Sequence, residues 1–186
     1  MARDSDLLMA LARKLDVDAV LREHGVHRED LQAALLHAAS VLASSEEKPA
    51  AEAAFTLYTD GAARGNPGPA GAGFVIYQDG RMLESQAQYL GETTNNQAEY
   101  NALILGLTRL TEIGAARVKV RADSELMVKQ MKGEYKVKNP GLIKLVISAQ
   151  KLARGFKKFS IEHIPREQNQ EADRMSNRAI DEFEGE

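Results

Sequence analysis

The spacing of apolar and polar positions divides the chain at about residue 54. Before that point apolar residues recur at helical spacing. "LLMALARKL" within 5–24 and "HREDLQAALLHAASVL" within 28–44 each gather them on one face, and Gly25 can end the first segment. Residues 1–44 are therefore expected to form a helical hairpin, too small to bury a large core. "SSEEKPAAEAA", 44–54, is expected to be a linker (45–54 once the second helix has ended). From Phe55 the pattern changes. "FTLYTD", "AGAGFVIYQDG" and "RMLESQAQYL" predict three strands, with Asp79-Gly80 as the turn between the last two. Residues 95–113 predict a helix with Leu103, Leu107 and Leu110 on one face. "ARVKVRAD" alternates as a fourth strand. "SELMVKQMKG" reads as a short helix closed by Gly133, and "GLIKLVISAQKLARG" as another, started near Pro140 and ended by Gly155. "KFSIEHIP" is a fifth strand. "NQEADRMSNRAIDEF" is a closing helix, with Ala172, Met175, Ala179, Ile180 and Phe183 toward the core.

The order β-β-β-α-β-α-α-β-α implies an α/β fold: a mixed sheet covered by helices, over residues 55–186. The absence of cysteine removes disulfides and thiolate metal sites. No run approaches the roughly 20 apolar residues of a membrane span, and the N-terminus lacks a secretion-signal core. A cytoplasmic protein without membrane attachment is expected. The net charge of −3 is unevenly spread: residues 1–52 sum to −4 and residues 129–158 to +8. The basic stretch is either a solvated helix face or a surface for a phosphate backbone.

Four acids fall where strands end or helices begin. Asp60 closes the first strand and Asp123 the fourth; Glu99 and Asp173 are expected in the first turns of their helices. Singly, each has an ordinary explanation. Asp60-Gly61 suits a turn, Glu99 a capping box with Asn96, Asp123 a helix cap, and Asp173 a favourable place in the helix dipole. Brought together, four carboxylates would repel one another unless cations compensate. An oxygen-only donor set favours Mg²⁺ or Mn²⁺, and paired ions suit phosphodiester hydrolysis.

"YTDGAARGNPGPAGAGFVI", "TTNNQAEYNALILGL", "VRADSELMVKQMKG" and "PREQNQEADRMSNRA" occur in this order. Together they resemble type 1 ribonuclease H, in its compact bacterial and archaeal branch, over about residues 55–183. The resemblance implies a five-stranded mixed sheet with helices on both faces. It implies a catalytic, metal-holding set of Asp60, Glu99, Asp123 and Asp173 around two Mg²⁺ ions, with Mn²⁺ as substitute. The implied reaction cuts the RNA strand of an RNA–DNA hybrid to 5′-phosphate and 3′-hydroxyl ends. Double-stranded RNA as a further substrate, or a non-catalytic nucleic-acid-binding module, are the alternatives. Gly61, Asn66, Asn95, Asn96 and Gln97 would contact substrate, reading 2′-hydroxyls.

The pattern also departs from the family. A loop histidine precedes the last acid in many members. Here His163 has the usual spacing but sits in a strand-like context, and Glu167 takes the loop position. His163, Glu167 and Asn169 are auxiliary candidates. The insertion that builds a basic protrusion in some members is absent, leaving Lys132, Lys136 and Lys138 for phosphate contacts. Residues 1–44 lack the basic and aromatic residues of a hybrid-binding domain, so packing, self-association or a protein partner is expected of them.

Overall fold

The computed structural model describes residues 53–185. The helical hairpin expected over 1–44, and the linker as far as residue 52, lie outside the described residues. Five strands and four helices follow in the expected order: β1 (Ala54–Ala63), β2 (Gly68–Gln78), β3 (Arg81–Thr93), α1 (Asn95–Glu112), β4 (Arg117–Ala122), α2 (Glu125–Met131), α3 (Pro140–Arg154), β5 (Lys158–His163) and α4 (Gln170–Glu184), with a single 3₁₀ turn at Arg166–Gln168.

The strands form one sheet in the order β3-β2-β1-β4-β5. β1, β2 and β3 are antiparallel neighbours, the last two joined through Asp79 and Gly80, both at positive φ. β1–β4 and β4–β5 are parallel, because α1 and then α2 and α3 return the chain to its starting end. Helices cover both faces. Leu57, Phe74, Ile76, Val118 and Val120 meet Leu103, Leu107 and Leu110 of α1 and Leu142 and Val146 of α3 in the main core. The sheet's other face packs against α4 through Gly71 and Gly73, where a Cβ would lie 2.2 Å from the Ser176 carbonyl oxygen and 2.4 Å from the Ser176 nitrogen. Two glycines thus let α4 ride directly on β2. Among the described residues no helix is long and apolar enough to cross a membrane.

Four local expectations need correction. Asp60 lies inside β1, paired with Gly73, rather than at its end; the glycines after it continue the ladder. Glu99 is the fifth residue of α1, beyond the first turn, and the capping box belongs to Thr94 and Gln97 rather than Asn96 and Glu99. Asp123 does not cap α2, whose N-cap is Ser124. On α4, Ser176 takes a fully buried position, Met175 is half-buried and Phe183 is 53% exposed, stacked on Tyr89.

Candidate active site

The parallel register of β1 and β4 pairs Thr59 with Ala122. The residue after each is an acid, Asp60 within β1 and Asp123 just past the end of β4, so the two emerge side by side. Glu99 joins them from α1. It gets there because residue 61 has no side chain: a Cβ on Gly61 would sit 2.1 Å from the Glu99 nitrogen. With that space filled by the helix backbone, Gly61 also hydrogen-bonds Glu99 through its own backbone. One ligand oxygen from each of Asp60, Glu99 and Asp123 lies within 4.8 Å of the others.

The electrostatics of this trio are unfavourable as they stand. Asp60 and Glu99 are each only 6% exposed. Burial, opposed by a Ser176 hydrogen bond and reinforced by Asp123 and Asp173, pushes the Asp60 carboxyl up to about 6. Burial, then Asp60 and Asp123, drives Glu99 well above the usual carboxylate range. Glu99 Oε2 is buried without a hydrogen-bond partner among the described residues. Three converging carboxylates, one with a free buried oxygen, fit a divalent cation held by hard oxygen donors.

Asp173 stands apart from this trio. It is in the first turn of α4, close enough to raise Asp60, and it accepts a 2.5 Å hydrogen bond from Arg166. Among the described residues, Arg166 on the 3₁₀ turn is a cation whose field opposes the proton affinity of both Asp60 and Glu99. Asn169 donates to Asp123 Oδ1 at 2.8 Å and to the Thr59 carbonyl at 2.9 Å. The Ser176 hydroxyl reaches Asp60 Oδ2 and, at 2.9 Å, the Asp173 carbonyl. Arg166 and Ser176 escaped the sequence reasoning. Arg166 is two residues beyond the buried Ile164 that follows β5, an unremarkable place for an arginine, and Ser176 occupies a helix position indistinguishable from small core residues.

The expected substrate residues gather at the start of α1. Asn95 and Asn96 are exposed, and the Asn95 nitrogen donates to Asn66 Oδ1 at 3.3 Å, tying the glycine loop to the helix. Gln97 is committed to capping: its Oε1 accepts from the Thr93 hydroxyl at 2.7 Å and the Thr94 hydroxyl at 2.9 Å. Gly61 faces α1 rather than open space. His163 is the last residue of β5 and exposed, within the electrostatic reach of Glu125. Glu167 is exposed and lines a small pocket with Tyr58, Tyr77 and Asn169. Lys132, Lys136 and Lys138 are exposed beyond α2.

A mixed 3-2-1-4-5 sheet with acids converging from its two central parallel strands and a flanking helix defines a ribonuclease H-like fold. Residues 58–179 match the family model described as Reverse transcriptase-like. The chain is 46% identical over 127 residues to a bifunctional protein of Mycobacterium tuberculosis, covering 67% of this chain and 35% of that one. The crystal structure of the type 1 ribonuclease H of the archaeon Halobacterium salinarum superposes with a TM-score of 0.67 at 40% identity, covering 69% of this chain and 98% of that one. The LC11 type 1 ribonuclease H, solved in complex with an RNA/DNA hybrid, gives a TM-score of 0.66 at 46% identity over 69% of this chain and 98% of that one. The chain belongs to the type 1 ribonuclease H family. It spans about a third of the length of the mycobacterial relative, 35%.

Proposed function

We propose that this chain is an endonuclease that hydrolyses the RNA strand of RNA–DNA hybrids with the help of two divalent cations, Mg²⁺ or Mn²⁺, leaving 5′-phosphate and 3′-hydroxyl ends. The convergence of Asp60, Glu99 and Asp123 within 4.8 Å carries this reading. Buried like charges at that separation are stable only with a compensating cation or with protons in its place. Asp173, at the rim, completes the proposed donor set. Bound cations of this kind lower the pKa of an attacking water and stabilise charge on the leaving oxygen. Family membership and the hybrid bound by the LC11 relative support the substrate.

The chain's own residues do the rest. Asp60 and Glu99, shielded from water, would supply anionic oxygens to hold the cations, and without those cations their charge would repel a scissile phosphate. Arg166 keeps Asp173 oriented and offsets part of that charge. The N-terminus of α1, with Asn95, Asn96 and the tethered Asn66, offers amide donors and acceptors for the sugar edge, where a 2′-hydroxyl distinguishes RNA from DNA. Lys132, Lys136 and Lys138 supply phosphate contacts at a distance from the reacting atoms.

The test is a panel of labelled substrates: hybrid, double-stranded RNA, double-stranded DNA and a duplex with one ribonucleotide, each with Mg²⁺ and with Mn²⁺. The expected result is cleavage confined to the RNA strand of the hybrid. Asp60→Asn should abolish it while hybrid binding in Ca²⁺ persists. Cleavage surviving in Asp60→Asn, or no cleavage of hybrid by the wild type with either ion, would refute the assignment. Double-stranded RNA cut at a comparable rate would widen the substrate class.

A further inference from the structure

Asn169, Asp173 and Ser176 follow one another at i, i+4 and i+7 across the first two turns of α4 and the residue before it. That spacing places them on one helix face. Each meets a different part of the acidic site. Asn169 donates to Asp123 at the end of β4 and to the β1 backbone beside Asp60. Ser176 donates to Asp60 itself. Both are sealed from solvent, at 1% and 0% exposure. Their partners lie 46 and 116 residues away in sequence. We propose that Asn169 and Ser176 are positioning residues: from one face of α4 they clamp the carboxylates of Asp123 and Asp60, fixing which oxygens are presented to a divalent cation.

Two features separate this from ordinary packing. Asn169 leaves its own Oδ1 buried and without a partner among the described residues. A buried polar atom in that state costs stability, so stability alone does not account for an asparagine there. Both of its N–H donors are spent, one of them on a carboxylate that faces the acidic cluster. Ser176 has a single proton and two acceptors in reach, Asp60 Oδ2 and the Asp173 carbonyl. The charged acceptor makes the stronger bond, and the carbonyl is an alternative if that oxygen is taken up by a cation. Each donor removes one rotational choice from a carboxylate before any ligand arrives. Such outer contacts set the orientation and affinity of metal-holding side chains.

The inference rests on the proposed metal-binding reading, and the test separates the two. Mn²⁺ is titrated into the full chain and followed by electron paramagnetic resonance and calorimetry, for wild type, Asp60→Asn, Asn169→Ala and Ser176→Ala. Thermal melting of each metal-free protein runs in parallel. Both α4 variants should bind Mn²⁺ about tenfold to a hundredfold more weakly. Their cleavage of hybrid should fall at low Mg²⁺ and recover as Mg²⁺ is raised, with KM for hybrid unchanged. In an Asp123→Asn background Asn169→Ala should add nothing further. Asn169→Ser, too short to reach Asp123 but still polar, replaces the alanine variant if melting shows that variant to be unfolded. Affinity within twofold of wild type overturns the assignment for the residue concerned, even if its melting temperature falls. No Mn²⁺ binding by wild type, or none lost in Asp60→Asn, instead sinks the metal-site reading beneath it.

Discussion

At the scale of single residues, the site is an electrostatic liability that the fold tolerates. The Asp60 carboxyl ionises at about 6 in the folded chain against 3.8 when exposed. Below about pH 4 both states hold the proton and the group is neutral in the balance. As pH rises from there, the unfolded chain releases the proton first, so folding becomes less favourable until Asp60 also ionises near pH 6. Glu99 acts in the same direction. The metal-free protein should therefore lose on the order of 2–3 kcal/mol from Asp60 across that window. Calorimetry in chelator between pH 4 and 7 should show a falling melting temperature, flatter in Asp60→Asn and largely restored by Mn²⁺ above pH 6. A melting temperature that rises through this range, or an identical slope in Asp60→Asn, would show that Asp60 is not the strained group. The acids stand out in the sequence through the four ordered motifs that carry them rather than through their place in an element, since Asp60 lies within β1 and Glu99 beyond the first turn of α1. Their partners do not. A serine 116 residues from the aspartate it touches carries no local mark of that contact.

At the scale of elements, glycine decides how closely helices approach the sheet, and so where the acids meet. On β2, a Cβ at Gly73 would lie 2.4 Å from the Ser176 nitrogen and 2.6 Å from the Ala172 carbonyl oxygen. Gly73→Ala must therefore lift α4 away from the sheet, and Asn169, Asp173 and Ser176 with it. Overpacking of this kind costs about 1–3 kcal/mol, and the activity should fall by more than the stability explains. The comparison is Gly80→Ala, in an open turn at φ 84° with nothing within 4 Å of the new methyl. Its cost is backbone strain alone, and cleavage by the folded protein should be unchanged. Equal losses of activity in the two variants would mean that α4 placement is not what Gly73 protects. The element order was readable because apolar period, Asp-Gly, Pro140 and the terminal glycines all agree. Boundaries near the site were not. Glycines that sit in β1 and β2 look like a loop in sequence, and both Thr94/Gln97 and Asn96/Glu99 satisfy the same capping pattern. On the last helix Ala172, Ala179 and Ile180 are buried as expected, but Ser176 rather than the more apolar Met175 takes the fully buried place between them, its backbone packed against Gly73.

At the scale of the molecule, the main core is drawn from Ala53 to Ile161, and the acids lie between positions 60 and 173. Among the described residues, each of the four acids is placed by an element that follows residue 53. Residues 1–50 carry nine acids against six bases, so removing them moves the formal charge from −3 to 0. Hydrolysis depends on local geometry, whereas capture of a polyanion responds to the whole field of the protein. Deleting residues 1–50 should therefore leave kcat on a short hybrid within a few-fold of the full chain. It should also strengthen hybrid binding at low salt, with the advantage shrinking as salt screens it over a Debye length of about 8 Å at physiological strength. Single-turnover cleavage and a salt series of hybrid binding in Ca²⁺ check the two halves separately. A truncated protein that is folded by circular dichroism but cuts no hybrid would place part of the catalytic machinery before residue 51. One that cuts normally but binds more weakly at every salt concentration would make that segment a nucleic-acid contact despite its negative charge.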